Sequence, residues 1–450
     1  MEYQKFVDAL FELGKSEGFS DMEVYYQQNK EFETTVFNQE VDKFSISEVA
    51  GLSFRGLFNE KMGYAFTEIL DDVSLEMLVK EAKSNAEVIE SDDKVEIASP
   101  QGDIKEMLLF SDALGKVSKT DKIEFLKQVE VEAKSLDDRV KSLSYNLYME
   151  SEQDVRINNT KGMDLSQKSN LGIAYVNVLA VSGKENKTGH VLVLDREFKN
   201  FDYKAVAKKA VEETVSQFGA SPVPSTSYPV VLKNECAANL LGAFVSVFNA
   251  ENVQKDLSMM KGKIAETVAS SVLTLVDNPF MDGGYGNSSF DAEGTPTMKT
   301  EIIKDGVLKT FLHNNKTATK DGIESTGNAA KASYKSSINI APSNMYIEEG
   351  SHSFDELIQM NKGMIITSLQ GLHSGLNPIS GDFSLAANGF LVEDGKIKRA
   401  VDQITVAGNL RDLLMDVEAI GNDLTFSLPA GSSFIASPSI KIKSLAIAGE

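Results

Sequence analysis

The sequence predicts an α+β fold, with an N-terminal half of two sheet-plus-helix blocks and a C-terminal β-rich domain, twisted or barrel-like, that carries a buried helix. Three observations lead there. Apolar faces at helical spacing alternate with runs of period-two pattern from Tyr3 to Val215. Gly219 to Pro229 (GASPVPSTSYP) then gathers three of the ten prolines into a boundary. Beyond it, strand patterns and two Asp-Gly turns dominate, and helices are few. The division expected is 1–100, 101–220 and 221–450, in line with the two or three domains that 450 residues suggest.

Tyr3, Phe6, Val7, Leu10 and Phe11 share one helix face, and Gly14 and Gly18 end that helix. From Met22 to Thr67 the alternation of Phe32, Thr34 and Val36, of Phe44 and Ile46, and of Leu52 and Phe54 predicts four or five short antiparallel strands. Gly51, Gly56 and Gly63 are read as the punctuation between them. Leu75, Leu78, Val79, Ala82 and Ala86 then form a helix face that covers one side of this sheet. The polar stretch Ser91 to Asp103 is expected to be a loop.

The second block opens with a helix carrying Ile123, Leu126, Val129, Ala133 and Leu136, with Thr120 as its expected N-cap. Strands follow at Leu143 to Met149, Val155 to Ile157, Leu171 to Val181 and Val191 to Leu194. Asn158 to Gly162 and Ser182 to Gly189 are the expected hairpin loops, and Val206 to Val215 closes the block as a helix. In the last block, Ser270 to Val276 reads as a strand and Asn278 to Gly294 as a long surface loop. Asp305-Gly306 and Asp394-Gly395, each between strand patterns, carry the type I′ hairpin signal. Gly371 to Gly389 reads as a loop feeding a strand, Leu410 to Ile420 as a helix and Ile440 to Ile447 as a closing strand.

The chemistry is concentrated at Tyr228 to Asn249. A short buried strand, Val230 to Leu232, runs into an apolar helix through Asn234-Glu235-Cys236-Ala237-Ala238-Asn239. Metallopeptidases set a Glu general base directly after one zinc-binding His, with a second His about a turn later. Here Glu235 is flanked by Asn234 and Asn239, and an amide is a poor zinc ligand beside imidazole or thiolate. The stretch has the form of a metalloprotease helix without a metal.

Composition narrows the classes. Sixty-six Asp and Glu against 45 Lys and Arg give a net charge of -21, which opposes nucleic acid or an anionic membrane as partner. Cys236 is the single cysteine, so no internal disulfide exists. With no signal peptide and no run of eighteen apolar residues, a cytoplasmic location is expected.

Five strings occur in one order along nearly the whole chain: Gly51 to Arg55 before Gly63-Tyr64-Ala65, Asp291 to Pro296, Ser380 to Phe383, Phe390 to Lys396, and Ile420 to Asp423. Together they resemble the TldD/PmbA family of metalloproteases, once named for modulation of DNA gyrase. The resemblance implies two branches. TldD-like members carry His-Glu-x-x-x-His and a Cys ligand for a catalytic zinc. TldE-like (PmbA-like) members lack the ligands and pair with a TldD-like subunit around a cleft for unfolded or short peptides. Asn234, Glu235 and Asn239 stand at the first set of positions, no Cys follows Cys236, and Leu424 to Gly431 is short where the zinc branch has its Cys loop. The resemblance therefore implies the TldE branch, with no catalytic residue or metal of its own and any zinc belonging to the partner. It implies a heterodimer, or a homodimer in isolation, with Glu293, Gly294, Thr295, Pro296, Ser380 and Gly381 near the peptide.

Blander readings stand beside these. Glu235 reads as a first-turn carboxylate satisfied by backbone N–H groups, and Cys236 as a buried structural thiol. His313 and His373, with Asp291 or Asp382, lie too far apart in the chain to argue a metal site from spacing. A self-sufficient peptidase with an unrecognised metal or Cys site, and a non-catalytic protein-binding regulator, remain as alternatives.

Overall fold

Apolar residues two apart on the long strands of the first half need a cover, and four helices provide it. A computed structural model describes residues 1–90, 96–429, 431 and 433–450 of the protein. Helix α1 (Tyr3–Ser16) is followed by strands β1 (Met22–Phe37), β2 (Glu40–Phe58) and β3 (Lys61–Thr67), then α2 (Asp72–Glu87). Helices α3 (Asp112–Lys116) and α4 (Lys119–Leu136) lead into β4 (Val140–Asn159), β5 (Asp164–Ser182) and β6 (Glu185–Asp195), and α5 (Tyr203–Val215) ends the half.

The two blocks are antiparallel meanders that join edge to edge, β1 against β4, in one sheet of order β3-β2-β1-β4-β5-β6. Met22, Val24, Leu52 and Phe54 pack on α1 and α2. Phe32, Tyr148, Ala174 and Val176 pack on α4 and α5. Helices α1, α2, α4 and α5 therefore lie on one face. The other face, with Glu23, Tyr25, Gln27 and Asn29, turns toward the C-terminal half.

Several local expectations are corrected here. The first meander has three long strands, not four or five short ones. Gly51, Gly56 and Gly63 sit inside strands, where a Cβ would strike the Tyr334 ring, the Phe19 ring and the Ala82 carbonyl respectively. They mark close approach rather than turns. Leu143 to Ile157 is one strand, and the β5–β6 turn is confined to Gly183-Lys184, so residues 185–189 are strand. Helix α4 is capped by Ser118, whose hydroxyl accepts from Asp121 N–H, rather than by Thr120. Of the loop expected at 91–103, residues 91–95 lie outside the described residues, and the rest has no regular structure.

Past the linker, β7 (Thr226–Leu232) feeds α6 (Asn234–Ala243) and α7 (Ala250–Gln254). Strands β8 (Leu275–Asp277), β9 (Thr300–Lys304) and β10 (Val307–Leu308) precede α8 (Asn315–Asp321), β11 (Ala329–Ala330), β12 (Asn339–Ile340), β13 (Asn344–Ile347) and α9 (Phe354–Leu357). Then come β14 (Lys362–Gln370), β15 (Asp382–Glu393), β16 (Lys396–Asn409), α10 (Leu410–Met415) and β17 (Val417–Ile420). Strands β18 (Thr425–Phe426), β19 (Phe434–Ser437) and β20 (Ile440–Ala448) finish the chain. Pairing of β16 with β20 closes β16-β15-β14-β7-β20 into a five-stranded barrel, and a second sheet runs β10-β9-β8-β13-β19-β18. Helix α6 is wedged between β14 of the barrel and β19 of that sheet.

Both Asp-Gly turns form as expected, with positive φ at Asp305, Gly306, Asp394 and Gly395. Three expectations in this half are corrected. Leu410 to Ile420 is helix only to Met415, and the strand at 270–276 shrinks to β8. The irregular stretch 278–294 is not superficial, because Ser289 to Glu293 are buried between the two halves. Part of its backbone polarity is met by the sheet of the first half: Ser289 N–H donates to Gln167 Oε1 (2.8 Å) on β5.

Candidate functional site

The end of β7 points the chain into α6, and the first turn of that helix is held from three sides. Asn234 N–H donates to Ser439 Oγ (3.0 Å), whose hydroxyl donates to Asp423 (2.7 Å). Asn234 Nδ2 donates to the Asp423 carbonyl (2.8 Å) and to Thr425 Oγ1 (3.0 Å), and Asn234 Oδ1 accepts from Glu235 N–H. Asp423, the last residue of one recurrent string, is thus an anchor for the helix. Glu235 Oε1 lies 2.8 Å from His190 Nε2 on β6, and the imidazole stacks on Tyr175 at 5.4 Å. The carboxylate is therefore taken by an imidazole of the central block, not by helix N–H groups as the sequence suggests.

These side chains do not suit zinc. Both polar atoms of Asn234 are committed, Asn239 offers only an amide, and one Glu235 oxygen already serves His190. Among the described residues, no group of three or more His, Cys, Asp or Glu side chains is placed to share a metal ion. Cys236 is buried, and burial, then the Glu235 charge, pushes its thiol well above the usual range, so it is no thiolate near neutral pH. His313 is buried too, and burial lowers its basicity.

The hydrogen bond to Glu235, opposed in part by burial, raises the basicity of His190. A histidine whose folded-state pKa lies above the free value of about 6.5 stabilises the fold fully below that pH and less as pH rises through the folded value. With side chains 37% and 26% exposed, the pair contributes under about 1 kcal/mol. A proton-NMR titration should place His190 above its value in a Glu235→Gln variant. Equal midpoints would show that the hydrogen bond does not form in solution.

The Asp291 to Pro296 string forms a tight loop around one carboxylate. Asp291 Oδ1 accepts from Glu293 N–H (2.8 Å) and Thr295 N–H (3.0 Å), Oδ2 accepts from Ala329 N–H (3.0 Å), and Gly294 turns the chain at φ +74°. Burial, then the neighbouring Glu293 charge, holds Asp291 well above the carboxylate range. The loop thrusts Glu293 toward the sheet. Its Oε2 accepts from Asn315 N–H (2.9 Å) at the start of α8, and its Oε1 is 3.4 Å from Arg55 on β2. Arg55 Nε donates to Glu23 Oε1 (2.7 Å), its directly opposite residue on β1. Burial works against the Arg55 charge, and the two carboxylates more than reverse it. Lys331 lies over the Tyr25 ring and donates to Ser53 Oγ (2.6 Å); burial and then the Arg55 charge push it down to about 7.

Two cavities flank this cluster, between the sheet and the C-terminal half. One, of about 960 Å³, is lined by Arg55, Glu293 and Lys331 among others. The second, of about 450 Å³, is lined by side-chain amides including Gln27, Asn29, Gln153, Gln167 and Asn170. They share Ala330, Lys331, Ala332, Ala341 and Gly431 as walls, so the two cavities adjoin.

Of the residues singled out by sequence, Glu293 lines the larger cavity, while Gly294, Thr295 and Pro296 line neither, Thr295 being hydrogen-bonded to Asn315. Asn234, Glu235, Asn239, Ser380 and Gly381 line neither cavity. Ser380 is on an exposed loop tied by Asn409 Nδ2 to its carbonyl (2.9 Å), and Gly381 takes φ +83° there. Sequence reading missed Glu23, Lys331 and His190. The available signal was Glu23, Tyr25, Gln27 and Asn29, a polar row at period two whose partners include Arg55.

The chain matches the description "PmbA/TldA metallopeptidase" in three parts: domain 1 at residues 22–86, the central domain at 112–218 and the C-terminal domain at 225–449. The chain belongs to the PmbA/TldD family. A metalloprotease of Methanothermobacter thermautotrophicus is 28% identical over 425 residues, 89% of each chain. A metalloprotease TldD homologue of Haemophilus influenzae is 25% identical over 468 residues, 98% of this chain and 95% of that one. A crystal structure from Thermotoga maritima, described as a candidate modulator of a DNA gyrase, superposes with a TM-score of 0.91 at 31% identity, covering 99% of this chain and 100% of that one. TldE from Thermococcus kodakarensis shares the fold, with a TM-score of 0.90 at 24% identity over 99% of this chain and 100% of that one. As a PmbA/TldD member, the chain has the metallopeptidase family's α+β architecture. No helix among its described residues is long and apolar enough to cross a membrane.

Proposed function

We propose that this chain is the TldE-like, non-zinc subunit of a TldD/TldE peptidase, and that it builds part of the cleft for unfolded or short peptides. One observation carries the reading. At the start of α6 the family's ligand positions hold Asn234 and Asn239, and the intervening Glu235 is bound to His190 instead of facing a metal. The scissile chemistry would belong to a zinc-bearing TldD-like partner, and the compartment would be the cytoplasm. The amide-lined groove supports a peptide role, because Gln and Asn donate to and accept from any peptide backbone with little demand on sequence. Glu293 of the loop at 293–296 would face the substrate in this groove, and Ser380 and Gly381, which line neither cavity, would meet it only outside.

Mixing tests this. The purified chain alone should leave an unfolded peptide intact, a zinc-bearing relative alone should be weak, and the mixture should cut it in a chelator-sensitive way. Cleavage by this chain alone that a chelator abolishes would overturn the proposal. A second reading, a self-sufficient hydrolase, draws on the His190–Glu235 hydrogen bond beside a helix N-terminus. It predicts cleavage by the lone chain that Glu235→Gln removes.

A further inference from the structure

Among the described residues, Lys331 is the one lysine in the walls of both cavities. Its position is set from both directions along the chain. Before it, β11 pairs with β12, and Ala329 N–H donates to Asp291 Oδ2 (3.0 Å). After it, the Tyr334 ring fills the notch over Gly51, where a Cβ would lie 2.2 Å from it, and its hydroxyl donates to Glu68 Oε1 (2.6 Å). Lys331 is thereby carried across β1 and β2. Its Nζ lies over the Tyr25 ring, 4.7 Å from the centre, and donates to Ser53 Oγ (2.6 Å).

An ammonium taken out of water calls for a carboxylate. Among the described residues none pairs with Lys331. Glu23 and Glu293, the carboxylates of this cluster, are both engaged by Arg55. Tyr25 supplies no anion, because burial holds its hydroxyl well above the usual range. Arg55 instead adds a like charge from β2. Burial, then that charge, push Lys331 down to about 7, and the weaker pull of Glu23 does not offset them. Near neutral pH, much of this amine therefore carries its lone pair. A desolvated lysine beside a second cation is the setting in which an amine attacks a carbonyl.

We propose that Lys331 is a carbonyl-binding site, whose amine adds to a small aldehyde held between the two cavities and forms an imine. The nitrogen–carbon bond forms, and the carbonyl oxygen leaves as water with both amine hydrogens. No oxidant or reductant is needed. An imine suits this seat better than an acylated amine. Once protonated, it keeps a positive charge for the Tyr25 face and one N–H for Ser53 Oγ, whereas an amide has no charge to place over the ring. The adjoining volumes of about 450 Å³ and about 960 Å³ leave room for an aldehyde of a few carbons.

The test is reductive trapping on the purified full chain with butanal and cyanoborohydride, each alkylated lysine being quantified by peptide mass spectrometry. At pH 7 an amine titrating near 7 has about a thousandfold more neutral form than a free lysine titrating near 10.4. Narrower access and weaker intrinsic nucleophilicity take back part of that, so Lys331 should be labelled at least about tenfold faster than surface lysines. That advantage should shrink as pH rises toward about 10, where the surface amines become neutral too. The Lys331 rate should also level off as butanal is raised, the mark of a bound aldehyde. Lys331→Arg should remove the fast-labelled peptide and leave the circular dichroism unchanged. Labelling of Lys331 no faster than that of surface lysines overturns the inference, and so does a rate that climbs in proportion to butanal without levelling.

Discussion

Glu23→Ala is expected to lower stability by about 3–5 kcal/mol, the range seen when one partner of a buried ion pair is removed. Glu23 is 1% exposed and faces Arg55 across β1 and β2, so its loss leaves a buried guanidinium with one remaining anion at 3.4 Å. The Coulombic return on forming the pair is not what makes the change severe; an uncompensated charge far from water is. Glu23→Gln, which keeps an acceptor near Nε, should lose less. The double change Glu23→Ala with Arg55→Met should cost less than the two single losses combined, because the stranded charge has gone. Urea unfolding of the parent and the four variants reads all of this. A Glu23→Ala protein within about 1 kcal/mol of the parent, the ordinary scale of a point change, would show that water or another group already compensates Arg55. The consequence for function is positional. Arg55 meets Glu293, and Glu293 meets the start of α8, so the cluster ties the loop at 291–296 to the sheet that forms the groove.

What sequence conveys about this fold depends on whether the cause is local. Asp305-Gly306 and Asp394-Gly395 need positive φ at adjacent residues, a demand written in two letters, and both turns form where expected. Leu75, Leu78, Val79, Ala82 and Ala86 are all buried, because helical spacing alone decides which face is apolar. Gly51, Gly56 and Gly63 misled the reading of the first meander, since the reason for each lies in a distant neighbour rather than in the strand. The role of the polar row of Gln27 and Asn29 is hidden for a related reason. Period two states that a face is polar, not whether water or another domain covers it, and the C-terminal half covers this one. At the site, the amides that flank Glu235 are plain in the sequence, but its partner His190 is 45 positions away. The contact of Arg55 with Glu293 spans 238 positions, and no spacing rule reaches so far.

Gly63→Ala should cost about 3 kcal/mol or more, the upper end for adding a methyl group to a packed interior. Nothing in the backbone of Gly63 demands glycine by conformation. The demand comes from α2, whose Ala82 carbonyl oxygen would lie 1.8 Å from the new Cβ, with the carbonyl carbon at 2.6 Å. Those atoms belong to a helix backbone and cannot swing aside as a side-chain end would. To restore ordinary contact, α2 would have to retreat by roughly one and a half ångströms, opening gaps around Leu75, Leu78, Val79 and Phe54 that share its core. Gly115→Ala is the control, since α3 offers open space around that position and alanine favours the helix by up to about 1 kcal/mol. Thermal unfolding should therefore rank Gly115→Ala at or above the parent and Gly63→Ala well below it. If the two alanine variants unfolded together, the close seat of α2 on β3 would not be what Gly63 secures.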